Sequence, residues 1–198
     1  MPAAAVLEAI EAGQAAFGEN YVQEGVEKIL TVRQFKPQAA VQWHCIGPIQ
    51  SNKSRPVAEH FDWVHSVDRI KLAQRLSEQR PANLPLLQVC LQVNIDGGVN
   101  KSGVAPGDVL ALAQEVAALP RLQLRGLMTI PEPADGFDAQ RRPHAAAKAL
   151  FDNLRASGCV DAALFDTLSM GMTSDLEAAV DAGSSMVRVG TAIFGHRG

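Results

Sequence analysis

Leu164-Phe-Asp-Thr-Leu-Ser-Met-Gly-Met-Thr-Ser-Asp175 and, after a helical pattern, Met186-Val-Arg-Val-Gly-Thr-Ala-Ile-Phe-Gly195 decide how this chain folds. Residues 164–170 and 186–189 are short, largely apolar runs of the kind that form strands buried on both faces, and residues 174–182 between them repeat with helical period. Strand, helix, strand is the unit of a parallel sheet. Both apolar runs end in turns of small and hydroxylated residues. Such turns present closely spaced backbone N–H groups with little side chain in the way, which suits a doubly charged phosphate. A phosphorylated small molecule is therefore the first ligand expected here.

The same alternation extends upstream. Strands are predicted at 15–18, 41–46, 63–66, 86–95 and 122–130, giving seven with the two above. Helices are predicted near 3–12, 20–30, 51–60, 69–79, 107–118, 138–156 and 174–182. Asp68, Pro106-Gly-Asp108 and Thr173-Ser-Asp175 stand where helices begin, and short polar side chains there can accept bonds from orphan N–H groups. The chain opens on a helix and closes shortly after a strand, so the count fits an α/β, TIM-type (β/α)8 barrel lacking its first strand. An open doubly wound sheet is the alternative, but no Gly-x-Gly-x-x-Gly turn follows any strand. With 198 residues, 47% of them hydrophobic, the chain is expected to form one domain over 1–198; about 70% of the unfolded surface can be buried at this length.

Charge and cysteine usage narrow the partners. A net charge of −3 and a pI near 5.9 give no broad positive field, which argues against nucleic acid or an anionic membrane as partner. Cys45, Cys90 and Cys159 are three and far apart, so neither a disulfide framework nor a zinc site is suggested, and a cytoplasmic protein is expected. The N-terminus lacks the basic and apolar regions of a signal peptide. His44, His60, His65, His144 and His196 show no metal-ligand spacing. Trp43, Trp63, Cys45 and Cys90 read as core residues, and His44 and His65 as core or mouth-lining.

In a barrel, ligands bind where the carboxyl ends of the strands and their loops converge. Residues 17–20, 44–53, 94–103, Met128-Thr129, 169–174 and 188–191 all fall there. One rival reading is a nucleotide site: Gly47-Pro-Ile-Gln-Ser-Asn-Lys-Ser54 approximates a P-loop, with Asn52 in place of its second glycine and Asp96 as a possible Mg²⁺ partner. Pro48 removes an N–H that such a cradle would use. Another rival is a non-catalytic interaction protein docking through Glu24, Glu27, Lys28, Arg141 and Arg142, although such charges usually form a helix's solvated face.

Six motifs in order along the chain are together specific: Phe17-Gly-Glu-Asn-Tyr-Val-Gln-Glu24; Trp43-His-Cys-Ile-Gly-Pro-Ile-Gln-Ser-Asn-Lys-Ser-Arg55; Val93-Asn-Ile95 with Lys101-Ser-Gly103; Arg125-Gly-Leu-Met128; Leu168-Ser-Met-Gly-Met172; and Arg188-Val-Gly-Thr-Ala-Ile-Phe-Gly195. With them the sequence resembles, essentially end to end, the pyridoxal phosphate homeostasis proteins. The resemblance implies a barrel like the N-terminal domain of alanine racemases, pyridoxal 5'-phosphate as cofactor, a role in vitamin B6 balance without a defined reaction, and PLP-dependent apo-enzymes as possible recipients. It implies that Ser169, Met170, Gly171, Gly190 and Thr191 surround the phosphate, that Arg188 faces the pyridine nitrogen, and that Asn20 lies near the ring. The usual burial of methionine assigns the side chains of Met170 and Met172 to packing instead.

An arginine donates only, so beside a pyridine nitrogen it favours the unprotonated ring and weakens it as an electron sink. With Tyr21 as the sole tyrosine and no second acid or base in evidence, binding or delivery of cofactor is expected rather than turnover. The resemblance further implies a Schiff-base lysine on a first strand, followed by Lys-Thr-Lys-Pro. Pro2 and the helix from Val6 align just after that motif, so this strand, the helix before it and the lysine are expected to be missing here. Lys53 and Lys101 are the amines best placed to substitute. An unclosed barrel exposes unpaired strand edges near Ala15 and Val189, so self-association is expected of such a short form, and a monomer of a full-length one.

Overall fold

The computed structural model describes residues 2–98 and 101–195. Six strands, β1 (Ala16–Glu19), β2 (Gln42–Cys45), β3 (Trp63–Val67), β4 (Leu87–Val93), β5 (Leu122–Thr129) and β6 (Thr167–Ser169), form one sheet in the order β1-β2-β3-β4-β5-β6. Every pairing is parallel. Chain order and spatial order coincide, so there is no point where the strand order reverses, as there must be in a doubly wound sheet. The sheet is a run of consecutive barrel staves, and the open-sheet alternative falls.

Helices α1 (Ala3–Glu11), α2 (Val22–Phe35), α3 (Ser54–His60), α4 (Ile70–Gln79), α5 (Val109–Ala117), α6 (Phe137–Ala156) and α7 (Leu176–Asp181) lie close to the seven predicted, and a short α8 (Thr191–Phe194) was not predicted. Residues 51–53 and 106–108 are single 3-10 turns leading into α3 and α5. No side-chain cap bond forms at Arg69, Asp108 or Asp175, the cap positions of α4, α5 and α7. Asp68 bonds its neighbour Arg69 instead, at 2.5 Å, and Asp175 turns back to the N–H of Met172.

Residues 186–189 are the one predicted strand that does not form. Met186 pairs with Ser169 through an isolated parallel bridge, and Arg188 N–H reaches Gly171 O at 2.9 Å. Gly171 has φ +93°, which bends the chain out of extended geometry straight after Met170 and leaves nothing for a longer ladder.

Alternation along the strands divides the apolar residues. Phe17, Trp43, Cys45, Val64, Val89, Leu91, Leu127 and Leu168 face the helices in the main core, while Trp63, Cys90 and Met128, with Met186 against them, form a separate cluster. That second cluster is the barrel interior. Arg125 is tied to Gln88 and Asp166 and lies 4.9 Å over the Trp63 ring, and Gly126 lets β6 approach, since a Cβ there would strike Thr167 O.

Candidate functional site

The barrel interior carries a continuous polar chain that ends at its carboxyl mouth. His44 stands on β2 with its ring stacked on Trp63, at 5.3 Å between centroids and 14° between planes. His44 Nδ1 lies 2.9 Å from His65 Nε2, and His65 Nδ1 lies 2.8 Å from Ser169 Oγ. Arg188 Nη1 donates to the same oxygen at 2.8 Å, and its Nη2 donates to Thr129 O at 2.9 Å. Four segments far apart in sequence thus converge on one guanidinium. Strand period places His44 and His65 on the inward faces, opposite Trp43 and Val64; their link to Ser169 needs the curl of the sheet, which no local pattern reveals.

Burial sets the charges of this chain. It pushes His44 down to about 4. His65 falls well below its ordinary value through burial first, then the proximity of His44 and Arg188. Burial also lowers Arg188 to about 10, opposed by Asp175 and Cys90, so it remains a cation at neutral pH. Cys90 is pushed up to about 12 by burial and stays a neutral thiol. The site is therefore one desolvated positive charge supported by two neutral imidazoles.

The turn after β6 is braced from behind. Asp175 Oδ1 accepts the Met172 N–H at 2.7 Å, and Oδ2 lies 2.8 Å from Nε2 of His144, a buried residue of α6. A Cβ on Gly171 would come within 2.5 Å of the Ala179 methyl on α7, so the turn and that helix touch closely. Thr173, Ser174, Gly190 and Thr191 are all exposed, and a Cβ on Gly190 would meet nothing within 4 Å. In the four-residue α8 the N–H groups of Ile193 and Phe194 both bond Gly190 O, which leaves those of Thr191 and Ala192 without an intrahelical carbonyl. Asn20 is exposed at the end of β1.

Two site residues implied by the resemblance have fully buried side chains. Met170 is fully buried in the main core, as its apolar side chain dictates. Ser169 is also fully buried, its oxygen shared by Arg188 and His65, so it lies beneath the arginine and not on the surface of the cup. Arg188, Gly171, Gly190 and Thr191 do come to one end. Thr173 and Ser174, within the predicted mouth segment 169–174, add exposed hydroxyls beside them.

The P-loop reading fails on its own residues. Ser54 is fully buried and its hydroxyl is engaged by Ser51 O, Gln79 Oε1 and Arg75 Nε, so it is closed to a metal. Gly47 is needed because a Cβ there would strike Asn20 O. Lys101 is committed as well: its Nζ reaches Asp96 Oδ2 at 2.9 Å, Ile130 O at 3.0 Å and Glu132 Oε1 at 3.2 Å, tying the loops after β4 and β5 together. Lys53 is exposed on its 3-10 turn. Among the described residues no three His, Cys, Asp or Glu side chains stand where they could hold a metal, and His196 lies outside them. No described helix is long and apolar enough to cross a membrane.

The fold and the mouth define a barrel of the alanine racemase class: residues 1–198 match the family described as alanine racemase, N-terminal domain. The alanine racemase of Clostridium difficile 630 superposes with a TM-score of 0.75 at 18% identity, over 97% of this chain and 48% of that one, which is a likeness of fold alone. Much closer in sequence is the pyridoxal phosphate homeostasis protein of Vibrio cholerae serotype O1, 54% identical over 99% of this chain and 81% of the relative. Its counterpart in Pseudomonas aeruginosa is 56% identical over 99% of this chain and 80% of the relative. PipY of Synechococcus elongatus PCC7942, solved with PLP bound, superposes with a TM-score of 0.85 at 37% identity, over 98% of this chain and 88% of PipY. The chain belongs to the pyridoxal phosphate homeostasis protein family.

Proposed function

We propose that this chain binds pyridoxal 5'-phosphate at the carboxyl mouth of its barrel and acts in vitamin B6 homeostasis in the cytoplasm, holding or delivering the cofactor to apo-enzymes without catalysing a reaction of its own. The observation that carries this reading is the placement of the partly buried Arg188 guanidinium, fixed by Ser169 and Thr129, beside the exposed residues Thr173–Ser174 and Gly190–Thr191 of two turns. PLP-bound PipY and the family's name point to the same ligand.

The residues present suit it. Exposed hydroxyls on Thr173, Ser174 and Thr191, with the Thr191 and Ala192 N–H groups at the start of the α8 turn, match a phosphate, and the open space over Gly190 lets it approach the backbone. Arg188 would meet the pyridine nitrogen and Asn20 the ring. When bound, the cofactor supplies an aldehyde and a pyridine ring able to accept electrons. Arg188 has no proton acceptor and stays cationic, so it donates to that nitrogen and holds it unprotonated, which disfavours carbanion chemistry. Neither histidine of the inner chain takes the place of a racemase's acid or base, since both are buried behind Ser169, away from the exposed turns of the mouth. Ser169 acts here as the support of Arg188.

Titration with pyridoxal phosphate, followed by absorbance and calorimetry, tests this. Saturable binding at micromolar ligand, weakened at least tenfold in Arg188→Ala and in Thr191→Ala, is expected, with no binding of Mg-ATP. Borohydride treatment of the mixture followed by peptide mapping should leave Lys53 and Lys101 unmodified. Absence of saturable binding, or equal affinity in Arg188→Ala, would refute the reading.

A further inference from the structure

The two buried histidines do more than fill space: His65 spends both ring nitrogens on polar neighbours, and His44, besides stacking on Trp63, spends Nδ1 on His65. We propose that His65 and His44 are positioning residues for the ligand at Arg188: through Ser169 they hold the guanidinium with a one-way chain of hydrogen bonds running from the arginine to His44.

The direction follows from counting hydrogens. Three are mobile, one each on Ser169 Oγ, His65 and His44, and two contacts among these groups must each use one. Arg188 can only donate, so Ser169 Oγ must accept from it. Two arrangements then satisfy both contacts. In one, Ser169 donates to His65 Nδ1, His65 Nε2–H donates to His44 Nδ1, and the hydrogen left over sits on His44 Nε2. In the other, both histidines donate from Nδ1, so the Ser169 hydrogen has no partner and His44 Nε2 is a bare acceptor. Ser169 is fully buried, so the second arrangement strands a hydroxyl hydrogen that the first uses. His44 Nε2 is buried without a partner in either case, and the first leaves only that atom unpaired.

This order has a consequence at the mouth. A hydroxyl that donates away from a cation carries more negative charge on its oxygen, so each bond strengthens the next and Ser169 becomes the best acceptor it can be for Arg188. With Thr129 O as the second anchor, the guanidinium plane is fixed at two of its five N–H groups. Among the described residues Ser169 is the one side chain bonded to the Arg188 guanidinium, whereas Asp175 and Cys90 act on it through space. Losing His65 frees the Ser169 hydrogen to turn and loosens that anchor.

The inference rests on the proposed function for the identity of the ligand, and its test includes a readout without ligand. In 15N-labelled protein at neutral pH, both histidines should carry their hydrogen on Nε2, and rotation of the Arg188 guanidinium should be slow. His65→Leu and Ser169→Ala should speed that rotation about tenfold, while His65→Asn, which keeps an acceptor near the Nδ1 position, should restore most of the restraint. Pyridoxal phosphate should bind His65→Leu about tenfold more weakly, with its absorption shifted toward that of the ring-protonated form, and His65→Asn within about threefold of wild type. A merely structural role would lower stability without moving the spectrum. A hydrogen on His65 Nδ1, or guanidinium rotation unchanged in both His65→Leu and Ser169→Ala, overturns the positioning role. If wild type binds no pyridoxal phosphate while the ligand-free results hold, the proposed function fails and the relay stands as a restraint on Arg188 alone.

Discussion

Replacing Gly171 by alanine tests the join between the fold and the site. Gly171 has φ +93°, and an added Cβ would come within 2.5 Å of the Ala179 methyl. Two separable costs follow. An L-residue held at that φ loses about 1–2 kcal/mol, and forcing a methyl into a filled space costs roughly 1–3 kcal/mol more. Together they predict a loss of about 3 kcal/mol, which for a domain of this length lowers Tm by about 6–12 °C. Ala179→Gly alone should cost about 2 kcal/mol, from helix propensity and one lost buried methyl. In the double variant the collision disappears while the φ penalty stays, so its loss should fall about 1–3 kcal/mol short of the sum. Urea unfolding of all four proteins, followed by far-UV circular dichroism, measures that coupling. Because Gly171 O accepts the Arg188 N–H at 2.9 Å, Gly171→Ala should also weaken pyridoxal phosphate binding, and the double variant should recover part of it. Strictly additive losses would mean that the turn and α7 do not meet as described.

Other predictions address the frame of the barrel. Arg80 is buried and donates to Ala58 O, Phe61 O and Pro85 O, so Arg80→Ala strands three carbonyls and should cost about 3 kcal/mol in urea unfolding, with little change in ligand affinity. His44 is held at about 4 in the folded protein against an ordinary value of 6.5. Below 6.5 the unfolded chain takes up a proton that the folded one refuses, so stability falls as pH drops from 6.5 to 4, by on the order of 3 kcal/mol from this group. In a His44→Gln variant that acid slope should be flatter, and an unchanged slope would contradict the assigned burial. At Asp166, burial opposes ionisation, but bonds from Arg125 and Thr167 outweigh it and hold the carboxyl below its usual range. Its contribution is present above pH about 4 and is lost on further acidification, so Asp166→Asn should flatten the stability profile only there.

Much of this architecture is legible in the chain itself, for reasons that differ by element. Parallel strands buried on both faces leave continuous apolar runs, and 87–93 and 122–129 stand out for that reason. Helix α6 begins and ends within one residue of its predicted bounds because twenty residues average out local noise. The segment at 186–189 misleads because its composition suits a strand, whereas the bend at Gly171 denies it a partner. Cap residues mislead similarly: Asp175 has the right chemistry for a cap but is drawn to Met172 and His144. At the site, Gly190, Thr191 and Arg188 are visible because small residues after an apolar run have few other uses. The partnership of His44, His65 and Ser169 includes a link between residues 104 positions apart, His65 and Ser169, and appears only when the staves are laid side by side. Ser169 shows the limit most clearly, since its motif is recognisable while its direction depends on which neighbour claims the hydroxyl.

Trp63 is stacked on His44, the inner end of the polar chain, and lies under the Arg125 guanidinium. Its indole is therefore an optical gauge built into the wall. Any event that puts a proton on the stacked imidazole or draws the guanidinium away changes the electric field across the ring, and the colour and yield of its emission must change with it.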